Sequence, residues 1–434
     1  MLENIKQLLD SKSTVDEYQI NVLKDTSKEL FFIKDELQMT RGKDVTFITV
    51  TVYKNFEIDG KKYKGSSSTK VSPTNTIEEI EEKIDMALLS ASFVKNEYYD
   101  LVTPTKDIAP KTSSVFNEGN TTEHIANLVQ DLFSEDKDEL AFINSCEFFI
   151  HNRNSRVVNS NGLDISYDHN YGEIELITEA SSDKEEVELF DVLVFSDYDP
   201  LWIKETVKES LFKTKTRTKA IPLPKLENIP VVLTGEAVKN FFDYYIAKSS
   251  AQLIYQGIFQ SKIGDIVQKG TITGDKVTIT LTPEIKNSTQ SKYYDNDGFF
   301  LQETNIIKDG VLTNLTSSKR FADYLDLTPT GNIGNVVVKT GNTTVEDLKK
   351  GEYLELLSFS DFQMDPLTGN FGGEIRLGIY HNGNESTPVT LGSISGLANL
   401  VEETMLFSKE EQRINNFVGP KIIKLNNISI AGNE

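Results

Sequence analysis

Four histidines, one cysteine and scattered carboxylates are the side chains here with the potential for catalytic or metal chemistry. The histidines are His124, His151, His169 and His381, and no two are spaced to share one face of a helix as metal ligands. His151 and His169 would converge only if their strands were neighbours, with acidic residues completing a site; histidines exposed on strands or turns are the commoner arrangement. Cys146 stands alone in the apolar stretch Ala141 to Ile150, which rules out a disulfide within the chain and favours a small buried hydrophobe over a nucleophile. Asp295-Asn296-Asp297-Gly298 begins like a calcium loop but lacks the further alternating ligands and the twelfth-position glutamate, so a turn is expected. Gly392-Ser393-Ile394-Ser395-Gly396 has isoleucine where a nucleophile elbow needs serine. No G-x-G-x-x-G or G-K-[ST] pattern supports nucleotide binding.

The elements that would position such residues divide into two halves. In the first, Val45 to Tyr53 is β-branched and aromatic enough for a strand, and Asp59-Gly60 turns it back into a hairpin. Ile77, Ile80, Ile84, Leu88 and Ala91 follow helical spacing, with glutamates in the opening turns that suit the helix dipole. Thr122 to Phe133 reads as a second helix and Glu147 to Thr178 as a strand meander. Two closely spaced prolines, Pro222 and Pro224, interrupt both patterns and place a domain junction near residue 222. From Asp297 to Leu400 glycine-centred turns separate short apolar runs: Asp297-Gly298, Asp309-Gly310, Thr330-Gly331-Asn332, Thr368-Gly369-Asn370 and His381-Asn382-Gly383. Such turns predict hairpins. The expected class is α+β: residues 1–221 a mixed α/β sheet domain, residues 222–434 a β-rich, hairpin or barrel-like domain.

With 45 Lys and Arg against 66 Asp and Glu, the net charge is −21 over 434 residues. A field of that sign repels phosphate backbones, so no nucleic-acid partner is expected. The N-terminus lacks a basic region followed by a long apolar core, and no window of about eighteen apolar residues occurs. A soluble cytoplasmic protein without a membrane span is the expectation.

The collinear series of turns, together with Arg156 to Leu163 and the closing segments Gly419-Pro420 and Lys424 to Gly432, resembles the TldD/PmbA family, which is linked to metallopeptidases and peptide maturation and carries an old label as a modulator of DNA gyrase. The resemblance is dense from about Pro230 to Gly432. Catalytic members bind a metal through a His-Glu-x-x-x-His helix and a cysteine near the C-terminus. Here the matching segment reads Gly235-Glu236-Ala237-Val238-Lys239-Asn240, and Glu410 to Val418 holds no cysteine. Both histidine positions, Gly235 and Asn240, are degenerate, and Glu236 alone cannot replace a metal that lowers the pKa of water from about 15.7 to near 7. Val238, Phe241, Phe242, Tyr245 and Ile246 still follow helical spacing.

The resemblance therefore implies the PmbA (TldE) branch, whose members lack the metal motif, with no catalytic residue, metal or cofactor of its own. It implies a catalytic TldD-type partner in a heterodimer and an unfolded peptide as substrate. Two alternatives stand beside it: an active metallopeptidase with non-standard ligands such as His151 or His169, and a stand-alone homodimer that binds peptides without cleaving them.

Overall fold

The computed structural model describes residues 1–107, 109–110, 114–116, 121–137, 140–183 and 185–432. The first half is built on a seven-stranded antiparallel sheet ordered Asn96–Glu97, Lys61–Val71, Glu36–Ile58, Glu17–Ile33, Ala141–Asn159, Asp164–Ser181, Glu186–Phe195. The strand expected at Val45 to Tyr53 is the middle of the much longer Glu36–Ile58. It turns at Asp59 (φ 51°) and Gly60 (φ 78°), so the Asp-Gly pair supplies the two left-handed residues of a tight hairpin and pairs Ile58 with Lys61.

Alternation along these strands sends Ile20, Val50, Val52, Phe148 and Ile174 to one face, where they pack under four helices, Leu2–Ser11, Ile77–Ser92, Thr121–Phe133 and Pro200–Arg217. The helix Ile77–Ser92 starts on a capping box: the Thr76 hydroxyl accepts from the Glu79 amide at 3.3 Å, and the Glu79 carboxylate accepts from the Thr76 amide at 3.0 Å. The opposite face carries Asp25, Glu29, His151 and Arg153.

The second half holds a six-stranded and a nine-stranded sheet, and neither closes into a barrel among the described residues. One core joins them, drawing Ile279, Ile306, Val338 and Phe417 from the smaller sheet and Val231, Leu233, Leu354 and Phe371 from the larger. Asp309 (φ 48°) and Gly310 (φ 83°) make the expected hairpin between Thr304–Lys308 and Val311–Leu312. Near the expected junction, Ile221–Pro222 pairs in parallel with Val389–Thr390, so the chain joins the larger sheet as soon as it leaves the helix Pro200–Arg217.

The halves meet along a polar seam. Asn21 donates through Nδ2 to the Asn296 carbonyl at 2.7 Å, the Asp100 amide donates to Asp323 at 2.9 Å, and the Ser196 and Asp197 amides donate to the Asn287 side chain at 2.9 and 2.7 Å. No described helix is long and apolar enough to cross a membrane.

Candidate functional site

The segment that resembles the family's metal motif begins on the strand Val231–Thr234, wholly buried at its first three residues and held between Glu352–Met364 and Ile422–Leu425. Its β-branched and leucine residues suit a strand covered on both faces. At Gly235 the backbone takes φ 57° and ψ −137°, a conformation that is essentially glycine's alone, and the chain turns into the short helix Glu236–Phe241. A second short helix, Asp243–Ala247, follows directly, so the apolar face expected on one helix is shared by two. Phe241 packs edge-on against Phe371 at 5.4 Å between centroids, and Phe242 lies against Phe407 and Phe417 at 5.5 and 6.1 Å. The motif helix is thus wedged between the two C-terminal sheets by its aromatic residues.

What the helix presents to chemistry is sparse. The Glu236 side chain is 61% exposed and pairs with Lys239 at 3.2 Å, one turn along, a surface pair that contributes at most a few tenths of a kcal/mol. Asn240 is half-buried. The Gly235 carbonyl accepts a hydrogen bond from Gln412 Nε2 at 3.3 Å, and Gln412 belongs to the strand Glu411–Ile414. The fold therefore brings together the two stretches that the family resemblance singles out, the start of the helix and the segment without a cysteine. Gln412 was not singled out in the sequence, because its contact with Gly235 spans the C-terminal half of the chain. A catalytic zinc needs three nitrogen, sulfur or oxygen ligands and an open position. Glycine offers no side chain, Glu236 turns to Lys239, and Gln412 spends its amide nitrogen on a carbonyl, so the residues present do not fit that metal.

His151 and His169 do lie on neighbouring strands. Arg153 faces His169 and His151 faces Tyr171 across the ladder, which sets both histidines on the face of the N-terminal sheet opposite its four helices. Each has its own partner: His151 Nδ1 meets Asp25 Oδ1 at 2.8 Å, and His169 Nε2 meets Ser155 Oγ at 2.9 Å. Arg153 also donates to Asp25, at 3.2 Å, and its guanidinium stacks on Tyr171. Burial foremost, then the cations Arg153 and Lys292, push His169 down to about 4, so it is neutral at physiological pH. Among the described residues no three His, Cys, Asp or Glu side chains gather as metal ligands. His381 is tied to Ser386 at 2.9 Å in its turn. Cys146 is 1% exposed under the helices, and burial pushes its thiol up to about 12, as expected of a core residue.

Cavities open along the seam instead, with volumes of about 860, 560 and 320 Å³. The loop that resembled a calcium site shapes two of them. Asp295 is fully buried and accepts from the amides of Asp297, Phe299 and Asn332 at 2.9, 3.0 and 3.1 Å, which makes it the anchor of a turn. Gly298 (φ 80°) lies so close to Leu163 that a Cβ there would sit 2.4 Å from a leucine methyl, so the Asp-Gly turn, closed by the antiparallel bridge between Tyr294 and Phe300, also serves the junction of the halves.

Residues 226–432 match the sequence profile of the PmbA/TldA metallopeptidase C-terminal domain. A Buchnera aphidicola protein named metalloprotease PmbA homolog is 26% identical over 243 residues, 53% of this chain and 53% of that protein. A Methanothermobacter thermautotrophicus protein named metalloprotease is 29% identical over 168 residues, 34% of this chain and 33% of that one. The chain thus spans about half or less of the length of these curated relatives. The crystal structure of TldE from Thermococcus kodakarensis has a TM-score of 0.80 at 19% identity, covering 99% of this chain and 100% of that one, which shows a shared fold from end to end. Turn series, matching profile and shared fold agree, and residues 226–432 are a C-terminal domain of the TldD/PmbA family.

Proposed function

We propose that this chain is the non-catalytic, TldE-like subunit of a two-protein peptidase, pairing with a relative that keeps the His-Glu-x-x-x-His helix and helping it to enclose unfolded peptides. One observation carries the reading. The strand, turn, helix and neighbouring strand of the motif are all in place, yet their chemical positions hold Gly235, Asn240 and Gln412. A scaffold kept without its ligands fits a role in assembly and substrate handling.

A place for the peptide follows from the N-terminal sheet. The strand Lys61–Val71 covers Glu36–Ile58 only from Ile48 onward, so residues 36–47 form an outer edge along which residues 36–45 are exposed. Unpaired backbone of this kind takes up an extended chain through main-chain hydrogen bonds, with little preference for sequence.

Co-expression with a His-Glu-x-x-x-His relative from the same genome tests the proposal. The two proteins are expected to migrate as one equimolar complex that cleaves an unfolded peptide which this chain alone leaves intact. Separate migration at micromolar concentration would overturn the pairing. Cleavage by the isolated chain, lost on chelation and in His151→Ala, would replace it with a metallopeptidase built on other ligands.

A further inference from the structure

The smallest of the three seam cavities, about 320 Å³, is lined from both halves, by Gln19, Tyr53 and Tyr99 on one side and by Asp297, Ser317 and Arg320 on the other. Its volume lies at the lower end of the range for small-molecule sites and admits a ligand of one or two amino-acid residues. The polar groups around it are incompletely used. Ser317 is 2% exposed, and its hydroxyl has no hydrogen-bond partner among the described residues. Arg320 gives Nε to the Tyr324 hydroxyl and Nη2 to Asn96 Oδ1, each at 3.0 Å, and no described hydrogen bond uses Nη1. Its guanidinium also lies over the Tyr99 ring, which holds it at the cavity wall. Gln19 Nε2 donates to Asn21 Oδ1 and to the Asn296 carbonyl beside Asp297, while the neighbouring Asp295 carboxylate is taken up by backbone amides.

Buried polar groups left without partners favour a ligand that supplies them. Here Asp297, Arg320 and the unpartnered Ser317 hydroxyl line one small space with tyrosine walls, beside Asp100 and the Lys319 that pairs with Asp323. We propose that this cavity binds a small amino-acid zwitterion, a free amino acid or dipeptide, with its ammonium on Asp297, its carboxylate on Arg320 and the Ser317 hydroxyl, and its side chain against Tyr53 and Tyr99. The inference stands apart from the subunit role above, since it uses neither the motif helix nor a partner protein.

The electrostatics agree with the geometry. Burial first, then the Asp295 charge, raise Asp297 to about 6, against the opposing effects of Gln19 and Arg320. A ligand ammonium would relieve that unfavourable charge. Tyr53 and Tyr99 are both held above the ordinary tyrosine range by burial and stay neutral, Lys319 pairs with Asp323 and Asp100 accepts from Tyr98, so the adjoining carboxylates Asp295 and Asp297, both raised by burial, set the pH response. Affinity is expected to be full above about pH 6 and to fall as Asp297 takes up a proton below it.

The test is a thermal-shift panel of the twenty free L-amino acids and the matching glycyl dipeptides with the purified full chain, followed by calorimetric titration of the best binder. At least one member should bind, and its N-acetylated and C-amidated forms should each bind about tenfold or more weakly. Asp297→Asn, which is isosteric and removes a strained charge, should fold and lose about tenfold in affinity; Ser317→Ala should lose a smaller factor. No shift with any member at about 10 mM would overturn the proposal and leave a water-filled seam. Binding unchanged in Asp297→Asn would overturn it equally. An amidated form that binds as well as the free acid would replace the zwitterion with a peptide N-terminus.

Discussion

Gly235 shows how much rests on one residue of the segment that resembles the family's metal motif. An alanine there would meet open space, with nothing within 4 Å of its Cβ, yet the backbone at φ 57° and ψ −137° excludes it. Gly235→Ala is therefore expected to destabilise by about 1–3 kcal/mol in urea unfolding, through backbone strain alone; a loss below about 0.5 kcal/mol would show that the turn relaxes. Restoring a histidine at this position would meet the same strain, so the exchange of ligand for glycine is tied to the local backbone. A second residue-scale prediction concerns Glu29, which is 1% exposed and held down to about 2: burial opposes the charge, but Lys43, Arg41 and Ser27 outweigh it. Because its folded pKa is depressed, its stabilisation is present above the ordinary glutamate value and lost as pH falls toward 2. Glu29→Gln should cost about 1–2 kcal/mol at pH 7, reduced by the exposure of both cationic partners, and converge with the parent in acid. The sequence sets Gly235 and Asn240 where the family resemblance expects the motif histidines. The glycine's backbone angles and the bond from Gln412 were not legible there, because both depend on a strand that arrives from far along the chain.

At the scale of elements, local signals were legible where turn chemistry or helical spacing decides the outcome. Asp59-Gly60 and Asp309-Gly310 turn where the sequence places them, and the helix Ile77–Ser92 lies where the spacing of Ile77, Ile80, Ile84, Leu88 and Ala91 places it. The long strands were only partly legible. Glu17–Ile33 and Glu36–Ile58 run through Lys, Asp and Glu residues that local propensity disfavours, and they persist because one face of the sheet packs on helices while the other stays polar. The helix Pro200–Arg217 was not placed beforehand, since polar residues such as Ser210, Thr214 and Arg217 lie on its buried side and blur the apolar stripe. The motif helix is held by packing more than by its own length, being too short for stability in isolation. Phe242→Ala should accordingly cost about 3–5 kcal/mol by opening a cavity between Phe407 and Phe417, read as a shift in the urea midpoint. A cost near 1 kcal/mol would mean that the two sheets close over the gap.

For the whole molecule, two halves with separate cores dock through backbone and amide hydrogen bonds, and the Asp295–Gly298 turn sits at the joint. The sequence marked that turn but not its location, because a seam is made by residues hundreds of positions apart. Its carboxylate Asp297 is raised to about 6, so the stability from its bound proton is present below the ordinary aspartate range and lost as pH rises through about 6. Asp297→Asn is expected to match the parent in acid and to gain about 1–2 kcal/mol on it by pH 7; parallel pH profiles would contradict this. The fold is shared with TldE over the full chain, while the positions that resemble the metal motif hold residues that do not fit a metal, and on this the proposed supporting-subunit role rests. The most direct test is the zinc content of the tag-free protein, measured by elemental mass spectrometry after dialysis against trace zinc. Less than about a tenth of an equivalent is predicted. Close to one equivalent, with peptide cleavage lost on chelation, would contradict the account and place a rebuilt metal centre elsewhere in the chain.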